Sequence, residues 1–349
     1  MTAAADRRRI GRTQVEVTRL GFGAAPLGNM LAEVTDAAAR AAVRAALDAG
    51  IGYFDTAPFY GHGLSEHRLG AALRECAAGP VTLSTKVGRL LRPSRDATTV
   101  GPFASTLPFE AVHDYSHDAT LRALEDSLQR LGRARADIVF IHDITRKWRG
   151  DRFEADYRLS IEGAFRALAG LRSQGVIGAI GVGVNENDTL LRYAADADFD
   201  CFMLAGRYTL LDTTALDALL PDCARRGISI LLAAPYNSGI LATGAVPGAK
   251  FWYADAPPEV LARVRRLEAV CARHGVTLQA AATQFPLAHP ALAGVVVGCR
   301  SAAEATAAAA SCAMPIPAAL WAEMKAEALL DAAAPVPDAS ATNTTGRTT

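Results

Sequence analysis

The stretch Gly52-Tyr-Phe-Asp-Thr-Ala-Pro-Phe-Tyr-Gly61 decides the fold of this chain. It opens with two apolar aromatic residues that suit a short buried strand, and it reaches an acid, Asp55, where that strand is expected to end. Pro58 and Gly61 then favour a turn. The stretch therefore places the carboxylate of Asp55 and the phenol of Tyr60 close together, at the carboxyl end of the predicted strand.

Two later apolar runs also end on ionisable side chains. Residues 81–85 form a predicted strand followed by Lys86, and residues 138–141 form another followed by His142. In a barrel of parallel strands the carboxyl ends share one face, and the loops there are free to build a pocket. We therefore expect these side chains to meet the carboxylate and the phenol in a barrel active site.

Helix and strand signals alternate along the rest of the chain. Besides a first strand in the glycine-rich run 21–28, strands are predicted at residues 179–184, 201–205, 229–233 and 295–297. Helices are predicted at residues 35–49, 65–74, 116–131, 161–174, 215–226, 259–274, 277–288 and 302–310. No motif recurs at a fixed period, which argues against a solenoid. The sequence predicts an α/β fold, a (β/α)8 TIM barrel with an N-terminal β-hairpin and an extra C-terminal helix.

The predicted boundaries divide the 349 residues into three segments. Residues 1–16 form an N-terminal segment with a hairpin around Gly11, residues 17–333 the barrel, and residues 334–349 a tail expected to be disordered. Two insertions, 89–114 and 145–158, interrupt the alternation. Long loops at the catalytic face usually shape the substrate pocket.

Composition excludes several classes of partner. The formal net charge is 0, so no basic excess attracts nucleic acid or an anionic membrane. The six cysteines are far apart and no apolar run reaches the roughly 20 residues of a membrane span. His and Cys form no cluster at metal-ligand spacing, so no metal is predicted. We expect a cytoplasmic protein that binds a small molecule; the sequence leaves its oligomeric state open.

Asp55-Thr-Ala-Pro-Phe-Tyr60-Gly61, with Lys86 and His142 downstream, resembles the aldo-keto reductase superfamily from about residue 19 to about residue 330. Four further runs resemble its sugar 1-dehydrogenase branch, which includes D-threo-aldose (L-fucose) dehydrogenase and a pyridoxal 4-dehydrogenase. They are His113-Asp-Tyr-Ser-His-Asp118, Leu124-Glu-Asp-Ser-Leu-Gln-Arg-Leu-Gly132, Leu204-Ala-Gly-Arg-Tyr-Thr-Leu-Leu211 and Asn237-Ser-Gly-Ile-Leu241. The resemblance implies hydride exchange with a nicotinamide.

The resemblance also assigns roles to the four residues. A phenol has a reference pKa near 10, so Tyr60 carries protons poorly at neutral pH unless a nearby cation, Lys86, favours its anion. Asp55 pairs with Lys86 because a buried charge needs a partner, and His142 orients the substrate oxygen. Taken singly, each residue is as well explained as a turn, cap, surface or core residue; their joint placement favours catalysis.

Cofactor contacts are implied at the strand ends, where barrels hold phosphate. The predicted set is Gly23, Asp55, Asn185, Pro235, Asn237, Ser238, Gly239, Leu241, Gly298, Arg300, Ser301 and Glu304. Glu304 lies where NADPH-using relatives place an arginine, which predicts NAD as the preferred cofactor, while Arg300 leaves NADP open. The chain also departs from the family pattern at Ala233, in place of a stacking tyrosine, and at Ala308, in place of an asparagine. The glycines of residues 21–28 do not match the Gly-x-Gly-x-x-Gly spacing of a Rossmann fold.

The predicted substrate wall consists of Met30, Phe59, Trp148, Arg207 and Tyr208, whose aromatic rings suit the apolar face of a sugar. The expected reaction is oxidation of an aldose at C1 to the lactone. The alternatives are pyridoxal 4-dehydrogenase or general NADPH-dependent aldehyde reductase activity on the same barrel. More remote are a non-enzymatic binding subunit and a metal-assisted hydrolase.

Overall fold

The computed structural model describes residues 4–95 and 101–337, and it contains the predicted closed barrel. Eight parallel strands follow one another around the barrel in chain order, and the last pairs with the first. They are β1 (Leu20–Gly23), β2 (Tyr53–Asp55), β3 (Thr82–Val87), β4 (Ile138–His142), β5 (Ala179–Val184), β6 (Cys201–Ala205), β7 (Ser229–Ala233) and β8 (Leu292–Gly298). The predicted (β/α)8 barrel is confirmed.

Helices connect the strands on the outside of the barrel. They are Asp36–Asp48, Leu64–Cys76, His117–Leu131, Phe153–Leu159, Arg166–Ser173, Asn187–Asp196, Leu219–Arg226, Pro258–Arg273, Leu278–Gln284, Ala302–Ala313 and the extra C-terminal helix Ala318–Ala326. The side chains of Thr35 and Ser116 accept hydrogen bonds from the first-turn amides of two of them, as expected of N-caps. Helix Asn187–Asp196 is the one between β5 and β6 that the sequence pattern did not predict.

The N-terminal hairpin closes the floor of the barrel. Its strands are Arg7–Arg9 and Glu16–Thr18, and they pair antiparallel. Ile10 and Val17, both fully buried, pack with the inward-facing residues of the barrel, among them Tyr53 and Phe140. These apolar side chains therefore close the interior of the barrel at this end.

The two predicted insertions carry regular structure at the mouth, where the sequence pattern indicated aperiodic loops. The first contains an antiparallel hairpin, Arg89–Pro93 with Phe109–His113, and residues 96–100 within it lie outside the described chain. The second contains the short helix Arg146–Arg149 and the start of helix Phe153–Leu159. A third hairpin, Lys250–Phe251 with Ala254–Asp255, was not predicted. Strands this short give too little periodic signal to detect.

The end of the described chain is packed. Ala334, at the predicted start of the tail, is 1% exposed, and Val336 packs against the core. Residues 338–349 lie outside the described chain. No single described helix is long and apolar enough to cross a membrane; the pair Ala302–Ala313 and Ala318–Ala326 passes jointly by length and composition, and is bent by 90°.

Candidate active site

Three adjacent strands bring the predicted ionisable residues together. Asp55 ends β2, Lys86 is the penultimate residue of β3, and His142 ends β4. All three are buried, with exposures of 3%, 1% and 7%. The loop after β2 carries Tyr60 to the same mouth. The side chains therefore converge as the sequence predicted, although β3 extends one residue past Lys86.

Lys86 is held in place from two sides. Its Nζ donates to Asp55 Oδ2 at 2.6 Å and to the backbone carbonyl of Thr56 at 2.9 Å. Ser84 Oγ donates to the other oxygen of Asp55 at 2.7 Å, and lies 2.9 Å from the hydroxyl of Tyr53. Sequence reasoning missed this supporting pair, although residues two apart on a strand share a face.

Tyr60 lies between the ammonium and the imidazole. Lys86 Nζ is 4.9 Å from the centre of the Tyr60 ring. The His142 ring meets the Tyr60 ring edge-on, with centroids 5.9 Å apart. Phe103, from the first insertion, lies 6.2 Å away on another side. The phenol is thus packed against a cation and a hydrogen-bonding ring.

Burial sets the charge state of this cluster. Loss of solvation, reinforced by the negative charges of Asp55 and Asp143, raises the pKa of Tyr60 well above its ordinary value. This direction is opposite to the expected lowering of the pKa by Lys86, because loss of solvation is the largest effect and the Asp55 carboxylate adds to it. Loss of solvation, together with the positive charges of Arg89 and Lys86, lowers the pKa of His142 well below its ordinary value. At neutral pH the site holds a protonated phenol and a neutral imidazole.

A second ion pair, which sequence reasoning did not single out, borders the same cluster. Arg89 Nη2 donates to Asp143 Oδ2 at 2.8 Å, and that oxygen lies 3.5 Å from His142 Nε2. Arg89 Nε donates to His113 Nε2 at 3.1 Å, and its guanidinium carbon lies 3.8 Å from the centre of the Phe59 ring. The available signal was position, since Asp143 directly follows His142 and Arg89 opens the first insertion.

Several residues predicted to bind the cofactor lie at the ends of β1, β7 and β8. We call Gly23, Asn237, Ser238, Gly239 and Gly298 the cradle. Gly23 and Gly298 face each other in register at the ends of β1 and β8. After β7, Asn237, Ser238 and Gly239 have φ of 44°, 65° and 106°. Successive residues in this left-handed region turn amide groups into a concavity that suits an anion.

Two further observations fit a cofactor that carries both hydrogen-bond donors and phosphates. Asn237 Oδ1 is buried and has no hydrogen-bond partner among the described residues, so it is available to a donor group. Ser301 caps helix Ala302–Ala313, whose amino terminus favours negative charge. Leu241 fits less well, because its side chain is fully buried in the core and its N–H donates to the carbonyl of Tyr236. Pro235 is also buried, and Asn185 is partly exposed.

Glu304 and Arg300, the two residues with opposite implications for NADP, bind each other. The Arg300 backbone N–H donates to Glu304 Oε2 at 2.8 Å, and Arg300 Nε lies 3.2 Å from Glu304 Oε1. Both side chains are about two-fifths exposed. The carboxylate therefore offsets the cation that a phosphate would need.

Of the two departures from the family pattern, Ala233 ends β7 and is partly buried, whereas Ala308 is buried in its helix.

The predicted substrate residues do not all lie at the mouth, because one of them lies in the core. Phe59 packs edge-on against Phe103, with centroids 5.3 Å apart, and the backbone of Met30 pairs with that of Phe103. Phe59 and Met30 therefore border the mouth. Trp148 is 57% exposed on the short helix after β4. Tyr208 is fully buried and packs against Phe285 at 5.0 Å, so it belongs to the core and does not line the mouth.

Arg207 and the third hairpin cover the side of the mouth after β6 and β7. Arg207 Nε donates to the carbonyl of Asn185 at 2.9 Å, and its guanidinium carbon lies 4.4 Å from the centre of the Trp252 ring. The Tyr253 N–H donates to Ser238 Oγ at 3.0 Å, which ties the hairpin tip to the cradle. This aromatic tip was also missed, although its two rings follow each other in sequence.

A cleft of about 580 Å³ lies at the floor end of the barrel. It is bordered by residues including Glu16, Arg135 and Arg172, and none of the predicted site residues lines it. Within residues 4–95 and 101–337, no three His, Cys, Asp or Glu side chains come together as a metal site. We therefore place the chemistry at the mouth, where the buried titratable groups converge.

Comparison with known proteins identifies the family. Residues 19–328 match the model of the Aldo/keto reductase family. The chain is 42% identical over 338 residues to a pyridoxal 4-dehydrogenase of Microbacterium luteolum, covering 94% of this chain and 98% of that protein. It is 40% identical over 320 residues to a D-threo-aldose 1-dehydrogenase of a Pseudomonas species, covering 90% and 94%.

Solved structures support the fold. The holo form of an aldo-keto reductase from Bacillus halodurans superposes with a TM-score of 0.73 at 23% identity, covering 92% of this chain and 96% of that one. A match along most of the sequence, together with two relatives above 30% identity, settles the family. This chain belongs to the aldo/keto reductase family, whose members are oxidoreductases that use a nicotinamide cofactor.

Proposed function

We propose that this enzyme oxidises the anomeric carbon of a neutral aldose, of the L-fucose, D-arabinose or L-galactose type, to the lactone, with NAD preferred over NADP. The observation that carries the proposal is the partly buried Tyr60 phenol beside Lys86 Nζ and the His142 ring. The 40% identical D-threo-aldose 1-dehydrogenase supports the substrate class. We also propose residues 17–333 as the catalytic unit.

A bound nicotinamide supplies the hydride acceptor for this chemistry. Residues that would hold it are Gly23, Asn185, Asn237, Ser238, Gly239, Gly298, Arg300, Ser301 and Glu304. Their cradle of left-handed backbone and a capped helix terminus suits the phosphates.

The four mouth residues handle the proton. As hydride leaves C1, the anomeric O–H proton passes to the phenolate oxygen of Tyr60, and the carbon–oxygen bond becomes the lactone carbonyl. Lys86, fixed by Asp55 at 2.6 Å, stabilises the phenolate that must exist before this transfer. Neutral His142 donates a hydrogen bond to the same substrate oxygen and so holds it towards Tyr60.

A second candidate is oxidation of pyridoxal. The 42% identical pyridoxal 4-dehydrogenase favours it, and the partly exposed ring of Phe59 at the mouth offers an edge to a pyridine ring. General NADPH-dependent aldehyde reduction is a third use of the same groups. A non-enzymatic binding role would not require Asp55, Tyr60, Lys86 or His142.

Titration with NAD and NADP, followed by a panel of L-fucose, D-arabinose, L-galactose and pyridoxal, tests the proposal through reduced nicotinamide formation. We expect oxidation of at least one aldose, faster with NAD. Tyr60→Phe should lower kcat/KM by about 10² to 10⁴-fold with cofactor affinity retained. Tyr193→Phe, which removes the hydroxyl of a fully buried ring on the outer helix Asn187–Asp196 that is hydrogen-bonded to Ser160, is the matched control and should behave like the wild type. Turnover of pyridoxal alone would replace the proposal with the second candidate.

A further inference from the structure

The ion pair between Arg89 and Asp143 lies at the mouth and has no part in the proposed proton transfer. Arg89 is 5% exposed, and the Asp143 side chain is 25% exposed. Asp143 influences the pKa of Tyr60, and Arg89 influences that of His142. Asp143 Oδ2 lies 3.5 Å from His142 Nε2, so the pair borders the group that orients the substrate oxygen.

Each partner keeps hydrogen-bonding capacity after the pair has formed. Arg89 uses Nη2 for Asp143 and Nε for His113, while its Nη1 is buried and has no partner among the described residues. A carboxylate accepts about four hydrogen bonds, and the described bonds to Asp143 use only one of its oxygens. A buried guanidinium N–H without a partner costs about 1–3 kcal/mol, which a ligand oxygen would recover.

The pair is also held in one geometry. The Arg89 guanidinium lies over the Phe59 ring, with its carbon 3.8 Å from the ring centre. Asp143 adopts φ 54°, which non-glycine residues rarely do, and its N–H donates to the carbonyl of Gly183 at 3.0 Å. His113 must be neutral to accept from Arg89, and burial lowers its pKa to about 4. A rigid donor and acceptor side by side suit a substrate that offers both.

The charges at the mouth cancel. Arg89 pairs with Asp143, Lys86 pairs with Asp55, and His142 is neutral. A site whose charges are paired gains little net Coulomb attraction from an anionic ligand, whereas neighbouring hydroxyls both donate and accept hydrogen bonds. The arrangement favours an uncharged polyol over a sugar acid or a sugar phosphate.

We propose that Arg89 and Asp143 together bind the hydroxyl next to the reacting carbon, the C2 hydroxyl of a neutral aldose. Asp143 Oδ2 lies 3.5 Å from His142 Nε2, the group that orients the C1 oxygen. Neighbouring oxygens of a sugar are about one hydrogen-bond length apart. The C2 hydroxyl therefore donates to Asp143 and accepts from Arg89 Nη1. This inference rests on the proposed aldose oxidation and names the part of the sugar that is recognised.

The test compares D-arabinose with 2-deoxy-D-ribose, its counterpart without the C2 hydroxyl, in the wild type, Arg89→Lys and Asp143→Asn. For the wild type we expect kcat/KM to favour D-arabinose by at least about tenfold. Both variants should lower the value for D-arabinose by about ten- to a hundredfold and change that for the deoxy sugar little, so that the ratio approaches one. Arg172→Gln, which breaks a pair with Asp200 at the opposite end of the barrel, should leave the ratio unchanged.

A purely structural role predicts a different result, because a distorted mouth would slow both sugars by the same factor and preserve the ratio. That outcome would overturn the inference while leaving aldose oxidation intact. Absence of aldose turnover in the wild type would instead overturn the proposed function.

Inhibition by D-arabinonate is a second test. The Asp143→Asn variant should bind this anion more tightly than the wild type, since Arg89 loses its counter-charge. Weaker or equal binding would contradict the charge balance described above.

Discussion

Gly28 and Gly61 meet backbone to backbone directly behind Tyr60. A Cβ atom on Gly28 would lie 2.5 Å from the carbonyl carbon of Tyr60, and one on Gly61 would lie 2.6 Å from the carbonyl oxygen of Gly28. Contacts this short leave no room for a side chain. The position of the phenol therefore depends on two glycines in different loops.

Gly28→Ala is expected to move Tyr60 and to reduce activity more than stability. Gly28 does not have a positive φ, so the effect comes from the contact and not from backbone strain. A shift of about 1 Å at a reacting group costs on the order of 100-fold in rate, whereas overpacking costs about 1–3 kcal/mol of folding free energy. Steady-state kinetics and thermal melting measure the two. Gly79→Ala, at a glycine with nothing within 4 Å of the added carbon, is the control. Equal activity in the two variants would show that the contact does not position Tyr60.

Oxidation and reduction should depend on pH in opposite ways. The folded protein holds the pKa of Tyr60 above its ordinary value of 10.0, so the phenol is protonated at neutral pH. Reduction needs this acid form, while oxidation needs the phenolate, whose fraction rises about tenfold per pH unit below the pKa. We expect kcat/KM for oxidation to rise steadily from about pH 7 to pH 10, and that for reduction to stay level.

His142 should contribute no titration to these profiles near its ordinary pKa. Its pKa lies well below the usual value, so its charge does not change above about pH 6. Rate profiles in both directions, with a pH-stability control, measure this. A level oxidation profile over the same range would contradict the assignment of Tyr60 as proton acceptor.

Coenzyme preference should shift when Glu304 is removed. In Glu304→Ala, Arg300 loses the carboxylate that lies 3.2 Å from its Nε, and a 2′-phosphate no longer meets a negative charge. We expect the ratio of kcat/KM for NADP over NAD to rise by about tenfold. The exposure of both side chains limits the effect on stability. Glu323→Ala, in a surface ion-pair cluster with Arg273, should not change the ratio; a similar shift there would point to overall charge as the cause.

Tyr208 tests the difference between an aromatic wall and an aromatic core. Its ring is fully buried and its hydroxyl has no hydrogen-bond partner among the described residues. Tyr208→Phe should therefore leave KM for every sugar unchanged, and should keep or slightly raise the melting temperature. Tyr208→Ala should lose about 3–5 kcal/mol of stability because it leaves a cavity beside Phe285. A change in sugar preference in the phenylalanine variant would restore Tyr208 to the substrate wall.

The sequence by itself determined the barrel and the meeting of Asp55, Tyr60, Lys86 and His142. Strand periodicity and the position of each residue at a strand end are local properties, and the parallel barrel converts them into a common face. Aperiodic segments give no such rule, so the hairpins of the first insertion and of residues 250–255 were not predicted.

Only the tertiary structure decided the charge states and the partners. Sequence proximity could not show that desolvation keeps Tyr60 protonated, that Glu304 binds Arg300, or that Tyr208 turns into the core. Each depends on burial and on distances between residues far apart in the chain. Electrostatic interactions vary steeply with both, and a pattern of residue types contains neither.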